Sequence, residues 1–281
     1  LINNSSENFY HKPLLSLNHY WTLNDKSFLA TAAYFSYGYG GGKWSDNFMT
    51  GSSIWDYRNP SGQIDWDAIY ENNSTHTDTF TLASGQEVTG FSRNIQTNFL
   101  ASHVWTGLIS TFNYSLSDAF KLTAGLHYRY FRSSLQQKVR DLLGGDFYID
   151  DYAWSLAGVA GRSQVKHTGD IVKVDNGALI HYLNLFAQAE YSSGRWNAFI
   201  AGSLSQNWYR RVDHYNYVEN PWSERVELAG FDFKGGVNFN ISEYHHLYAK
   251  AGYFSRVPYY KFVFGNFTNT VSRTPANEKV S

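Results

Sequence analysis

The chain has 281 residues and a net charge of −1, from 23 basic and 24 acidic side chains. That balance gives no support to a nucleic-acid surface, and the absence of cysteine excludes disulfides and thiolate metal sites. Aromatic residues make up 18% of the chain and charged residues 17%, a mix unusual for a cytosolic enzyme and suited to strands, turns and water–lipid interfaces.

Four hairpins are predicted in chain order, over about 12–39, 105–132, 180–209 and 229–256. The first joins "PLLSLNHYWTL" to "KSFLATAAYFSYGYG" through Asn24-Asp25; the phase of its second strand is ambiguous. The second turns at Ser117-Asp118. In its return strand Phe120, Leu122, Ala124, Leu126, Tyr128 and Tyr130 share one face, and Lys121, Thr123, Gly125, His127 and Arg129 the other. The third turns at Ser192-Ser193-Gly194, with Phe186, Phe199 and Ala201 breaking its alternation. In the fourth, Phe231, Phe233, Val237, Phe239 and Ile241 alternate with Asp232, Lys234, Asn238 and Asn240 before the turn "SEYHH".

The remaining segments, about 40–98, 133–177, 210–228 and 257–281, read as long polar loops. Short turns therefore alternate with long loops. A globular sandwich uses short loops at both ends, whereas a transmembrane barrel places short turns on one side and long loops on the other. Tyr20, Trp21, Tyr128, Tyr130, Tyr191, Trp196, Trp208, Tyr209 and Tyr253 gather near strand ends, where interfacial girdles lie; aromatic residues are also simply common in strands. No apolar run of about 18 residues occurs, so no membrane-spanning helix is expected. The mean hydropathy of −0.43 does not count against a barrel, which is apolar on one side only.

Site motifs are weak. "GYGGGK" at Gly38–Lys43 has the wrong spacing for a phosphate loop and reads as a flexible loop entry. His245 and His246 point opposite ways on a strand and read as a turn, not a metal site. Asp65 and Asp67, and Asp150 and Asp151, offer oxygens for Ca²⁺ without supporting spacing. Asn72, Asn73 and Asn266 stand in Asn-x-Ser/Thr sequons. Neither a catalytic motif nor a cofactor or metal is expected. The candidate ligand-binding residues are loop aromatics: Trp44, Trp55, Tyr57, Trp66, Tyr152, Trp154, Tyr217 and Trp222. Their faces, with nearby Asp and Asn, suit stacking and hydrogen bonding to a ligand in an outward vestibule; loop–loop packing is the competing reading.

The stretches "KPLLSLNHYWTLNDKSFLATAAYFSYGYGGG", "TGLISTFNYSLSDAFKLTAGLHYRYFRSSLQQKVRDLLGGDFY", "LNLFAQAEYSSGRWNAFIAGSLSQNWYRR" and "GYFSRVPYYKFVF" through "ANEKVS" resemble the barrel of TonB-dependent outer-membrane receptors of a Bacteroidetes-like kind. "SRVP" and "TPANEKVS" resemble that family's strand-end and re-entry elements. The resemblance implies an all-β, antiparallel up-and-down segment of about 8–10 strands within a plugged barrel of about 22. It implies a middle portion, without the plug domain or the last strands. It further implies an outer-membrane location, contact with outer-membrane lipid, an own-chain plug, the TonB energy-coupling complex, and import of a siderophore, haem, cobalamin, glycan or peptide. Two alternatives stand beside it: a small stand-alone barrel acting as adhesin or anchor, and a soluble carbohydrate-binding module. Closure of the sheet would favour the first and a buried apolar face the second.

Overall fold

The computed structural model describes residues 3–48, 53–151 and 163–264. In chain order the strands are β1 (Glu7–His11), β2 (Leu14–Asn24), β3 (Ser27–Asn47), β4 (Phe80–Thr81), β5 (Glu87–Val88), β6 (Phe91–Ser92), β7 (Asn94–Ser117), β8 (Phe120–Asp141), β9 (Phe147–Ile149), β10 (Val165–Lys166), β11 (Ile171–Ser193), β12 (Trp196–Asp213), β13 (Val226–Asn240) and β14 (His246–Phe254). Two helices, α1 (Trp66–Thr75) and α2 (Tyr260–Val263), and a 3-10 turn at Ile54–Asp56 lie in the connections.

Nine strands form one antiparallel sheet in the order β1-β3-β7-β8-β11-β12-β13-β14, with β2 also paired to β3. β1 and β2 lie end to end along β3, interrupted at Lys12-Pro13. Tight turns close one end of the sheet, and every long connection emerges at the other. This is an up-and-down β-barrel segment. It is open, because β14 does not pair with β1 or β2 among the described residues.

Register explains the two faces. Leu126, Leu185, Leu204 and Phe231 are successive cross-strand partners and share one face. Leu29, Ala33, Phe35, Leu108, Phe112, Leu122, Leu183, Ile200, Phe233, Val237 and Leu247 fall in the same phase. No described segment covers this face: Leu185, Ile200, Phe231 and Phe233 are each about half exposed. The opposite face carries Lys121, Thr123, His127, Arg129, Asn184, Gln188, Ser203, Ser205, Asp232 and Lys234.

The aromatic belt is more selective than expected. Trp21, Tyr191 and Trp196 at the turn end, and Tyr128, Tyr130 and Trp208 at the loop end, lie in the apolar phase. Tyr20 and Tyr209 do not. Tyr20 stacks on Phe28 in the polar phase, and Tyr209 is buried with Val263, Phe264 and Tyr260.

The strands also reach further than expected. The loops read over 40–98 and 133–177 begin late and end early, because β3 runs to Asn47, β7 starts at Asn94, β8 runs to Asp141 and β11 starts at Ile171. "GYGGGK" is therefore strand, not flexible loop. Gly40, Gly41 and Gly42 pair with β1 on one side and β7 on the other. A Cβ at Gly40 would lie 2.4 Å from the Tyr10 ring and 2.7 Å from the Phe9 carbonyl oxygen. The absence of a side chain is what lets β1 lie there.

Besides the cluster around Tyr209, two small cores form a cap at the loop end. One gathers Phe48, Phe91, Ile95, Val139, Tyr148, Ile149 and Val172; the other gathers Ile54, Trp66, Ile69 and Leu143. Asn73, on the buried side of α1, ties them together. Its amide nitrogen donates to the carbonyls of Asn94 (2.8 Å), Leu143 (3.0 Å) and Leu142 (3.3 Å), and its oxygen accepts from Arg93 N (2.9 Å) and Asn94 N (3.2 Å). The sequon at Asn73 is thus a packing device whose side chain is out of reach of modification. Asn73→Ala leaves several buried backbone groups unpaired, at about 1–3 kcal/mol for each group stranded. The expected result is a loss of about 2–4 kcal/mol confined to this cap, read as faster amide exchange at 91–94 and 142–143 with the long strands unchanged.

Candidate functional site

The cap places the predicted loop aromatics in different surroundings. Trp66 opens α1 and is 6% exposed, packed in the core with Ile54 and Ile69. Its face serves packing. Asp65 is the N-cap, accepting from Ala68 N at 3.0 Å, so "DWD" has a structural explanation. Tyr57 packs against the same core. Trp55 is exposed, with the Arg58 guanidinium 5.4 Å from its ring centre. Trp55, Arg58, Asn59, Gln63, Asp65 and the edge of Trp66 line a polar cleft of about 740 Å³. Trp44 lies on β3 rather than in a loop, exposed, with its ring 6.3 Å from Phe99. Tyr217 and Trp222 are half-buried in the β12–β13 connection, where Arg210 stacks on Trp222 at 5.0 Å. Tyr152 and Trp154 lie outside the described residues. The cleft therefore unites Trp55 and Trp66 but neither Trp44 nor the β12–β13 pair.

The electrostatics of the cap are those of packing. A hydrogen bond from Arg93 holds the Asp78 carboxyl below the usual carboxylate range. Burial pushes the Asp151 carboxyl up and the Tyr148 phenol far up, so Tyr148 stays neutral. Asp150 is fully buried and accepts from the Tyr215 hydroxyl, joining the second long connection to the third. His246 Nδ1 lies 2.8 Å from Asn240 Oδ1, and His245 Nδ1 3.1 Å from Ser242 Oγ, both within the turn.

A second constellation escaped the sequence reading. On the polar face below the cap, Trp105 stands between two cations: Lys12 Nζ at 5.1 Å and the Arg129 guanidinium at 5.6 Å from its ring centre. Arg129 also covers Tyr182 at 5.1 Å. Tyr182 meets His127 edge-on at 5.3 Å, and His127 Nε2 lies 3.2 Å from Tyr34 Oη. Above Trp105, Phe131 contacts His103, and His103 contacts Tyr10. Trp44 and Phe99 share this phase, about 20 Å further toward the cap. The result is an aromatic and cationic track running down the polar face.

Glycine makes the track. Gly38 is the register partner of His103, and Gly107 that of Tyr34; in each case the ring occupies the space a Cβ would take. The signal in the sequence is a glycine in the polar phase; the aromatic residue it faces is fixed by register. The same pairing explains two breaks in alternation: Phe186 lies over Gly125, and Phe199 over Gly236. His103 Nε2 and Trp105 Nε1 are buried and lack a partner among the described residues. Two polar atoms of the track are thus enclosed without a hydrogen bond among the described residues.

Neither a family model nor a curated protein matches the chain. Among solved structures, the chain is similar to the open form of the ferric-catecholate import receptor Fiu from E. coli K12, at 9% identity and a TM-score of 0.41. The alignment covers 88% of this chain and 35% of that receptor, so the chain spans about a third of its length.

Proposed function

We propose that the chain forms part of the wall and outer loops of a TonB-dependent outer-membrane transporter, which takes up a scarce nutrient at the loop end. The observation that carries this reading is the uncovered apolar face. Among the described residues it holds no Asp, Glu, Lys or Arg from the turn-end aromatics up to the level of Gln206 and Ala229. The first carboxylate, Glu227, stands opposite Trp208 at the loop-end edge, while the facing polar phase is charged throughout. Soluble proteins rarely leave such a surface open, whereas lipid requires it. A soluble carbohydrate-binding module would bury this face against a second sheet. A stand-alone barrel would pair its two edge strands.

In this reading the cleft around Trp55 and the track around Trp105 line the route of the ligand. The cations and rings of Lys12, Trp105, Arg129 and Tyr182 suit an own-chain plug or the ligand itself, and the energy-coupling complex acts from the turn side. Siderophore, haem, cobalamin, glycan and peptide remain the ligand classes. The test is growth of a strain lacking the gene, supplied with one limiting nutrient of each class and complemented with variants of the intact gene. Trp105→Ala with Arg129→Ala is expected to lower uptake of one class about tenfold while the barrel still assembles. Removal of residues 53–89 is expected to abolish it. Unchanged uptake with both variants would place ligand capture elsewhere.

A further inference from the structure

The apolar face has a basic rim, which the transport reading does not use. Arg132 on β8 and Arg210 on β12 are the register partners of the same residue, Leu179 on β11. All three lie in the apolar phase, one step beyond the loop-end aromatics. His181, two positions below Leu179, pairs with Tyr130 and Trp208. Arg225 precedes β13, stands 5.6 Å from the Trp208 ring centre and forms a 2.9 Å ion pair with Glu227, the register partner of Trp208, so three arginines face one carboxylate at this rim. Tyr128, Leu179, His181, Trp208, Arg210 and Arg225 line an open pocket of about 390 Å³.

The height of this pocket says what fills it. Residues Trp196 to Trp208 of β12, at about 3.3 Å rise and about 45° tilt, span about 28 Å, close to the apolar band of about 25 Å expected for a membrane barrel. Arg132, Arg210 and Arg225 then stand at the level of the headgroups. Arg210 is held in place: its Nε donates to Ser223 O at 3.1 Å, and its plane rests on Trp222. The Tyr128 hydroxyl lies 2.8 Å from His181 Nδ1, which orients the imidazole. Planar guanidinium donors flanked by aromatic rings match phosphate oxygens, and the leucines below match acyl chains.

We propose that this pocket binds the phosphate of an anionic membrane lipid, with Arg210 and Arg225 as its donors, Arg132 adding positive charge from the far side of Leu179, and Leu183 and Leu204 along its acyl chain. The inference rests on the membrane reading of the apolar face. The experiment reconstitutes the intact protein in nanodiscs of phosphatidylcholine containing a minority of phosphatidylglycerol, transfers it to mild detergent, and counts retained lipids by native mass spectrometry. The wild type is expected to keep phosphatidylglycerol at least fivefold above its share of the bilayer. Replacing Arg132, Arg210 and Arg225 together by Gln is expected to abolish that enrichment, and replacing them by Lys to keep part of it. Insertion without enrichment, or enrichment that survives in the Gln variant, overturns the lipid site and leaves the membrane reading intact. Release of the lipid by millimolar inorganic phosphate overturns the commitment to a lipid. Failure to insert into this bilayer overturns both readings.

Discussion

Arginine placed at Ile200 is expected to destabilise the protein by about 2–4 kcal/mol in a bilayer, while arginine at Gln188 changes it by less than about 0.5 kcal/mol. Ile200 is half exposed on the apolar face, and its cross-strand neighbours are Ala189 and Gly235. Those neighbours are small, so a longer side chain meets no steric barrier. The cost that remains is that of a guanidinium in hydrocarbon. Gln188 is on the neighbouring strand in the opposite phase, 2.5 Å from Glu190, where a cation gains a partner. The measurement is urea unfolding of both variants refolded in lipid vesicles. If the apolar face were in water, Ile200→Arg would be as mild as Gln188→Arg. Equal stabilities would therefore end the membrane reading, whatever the loops do.

The pair also shows what alternation alone conveys. Lys121, Arg129, Asp232 and Lys234 lie on the polar face where their spacing put them, because a strand has one side-chain period and four turns fix its phase. The strand ends were not legible. In the membrane reading proposed above, a strand beyond the lipid no longer needs an apolar face, and β3, β7, β8 and β11 continue as polar sequence that reads like loop. The cap was hidden for a related reason. α1 is short and polar, and its place depends on Asn73 and on contacts with residues some 20 and 70 positions away. Trp66 looked like a ligand platform because sequence cannot tell an aromatic that packs from one that waits for a ligand. In the track, His103 and Tyr34 depend on Gly38 and Gly107 of adjacent strands, and only register reveals that they face one another.

Arg211→Met tests whether the β12–β13 connection is held as the geometry requires. Arg211 Nη2 lies 2.8 Å from Asp213 Oδ2, with the side chains 4% and 0% exposed. Asp213 further accepts from Tyr215 N (3.0 Å), Asn216 N (2.9 Å) and Asn216 Nδ2 (2.8 Å). Its own N–H donates to Pro221 O, and Ser223 N donates to Arg211 O, each at 2.8 Å. One carboxylate thus organises the turn that carries Tyr217 and Trp222. Methionine keeps most of the packing volume and leaves the carboxylate buried without its counter-charge, at about 3–5 kcal/mol. The expected result is early proteolysis and rapid amide exchange across 214–225, with β11 and the turn end of β12 still protected. Adding Asp213→Asn removes the stranded charge while keeping an acceptor for the two backbone N–H groups, so the double variant is expected to recover at least half of the loss. A single-variant loss below about 1 kcal/mol would mean that the carboxylate is solvated, and the connection would then owe its shape to Tyr215 and Asp150 instead.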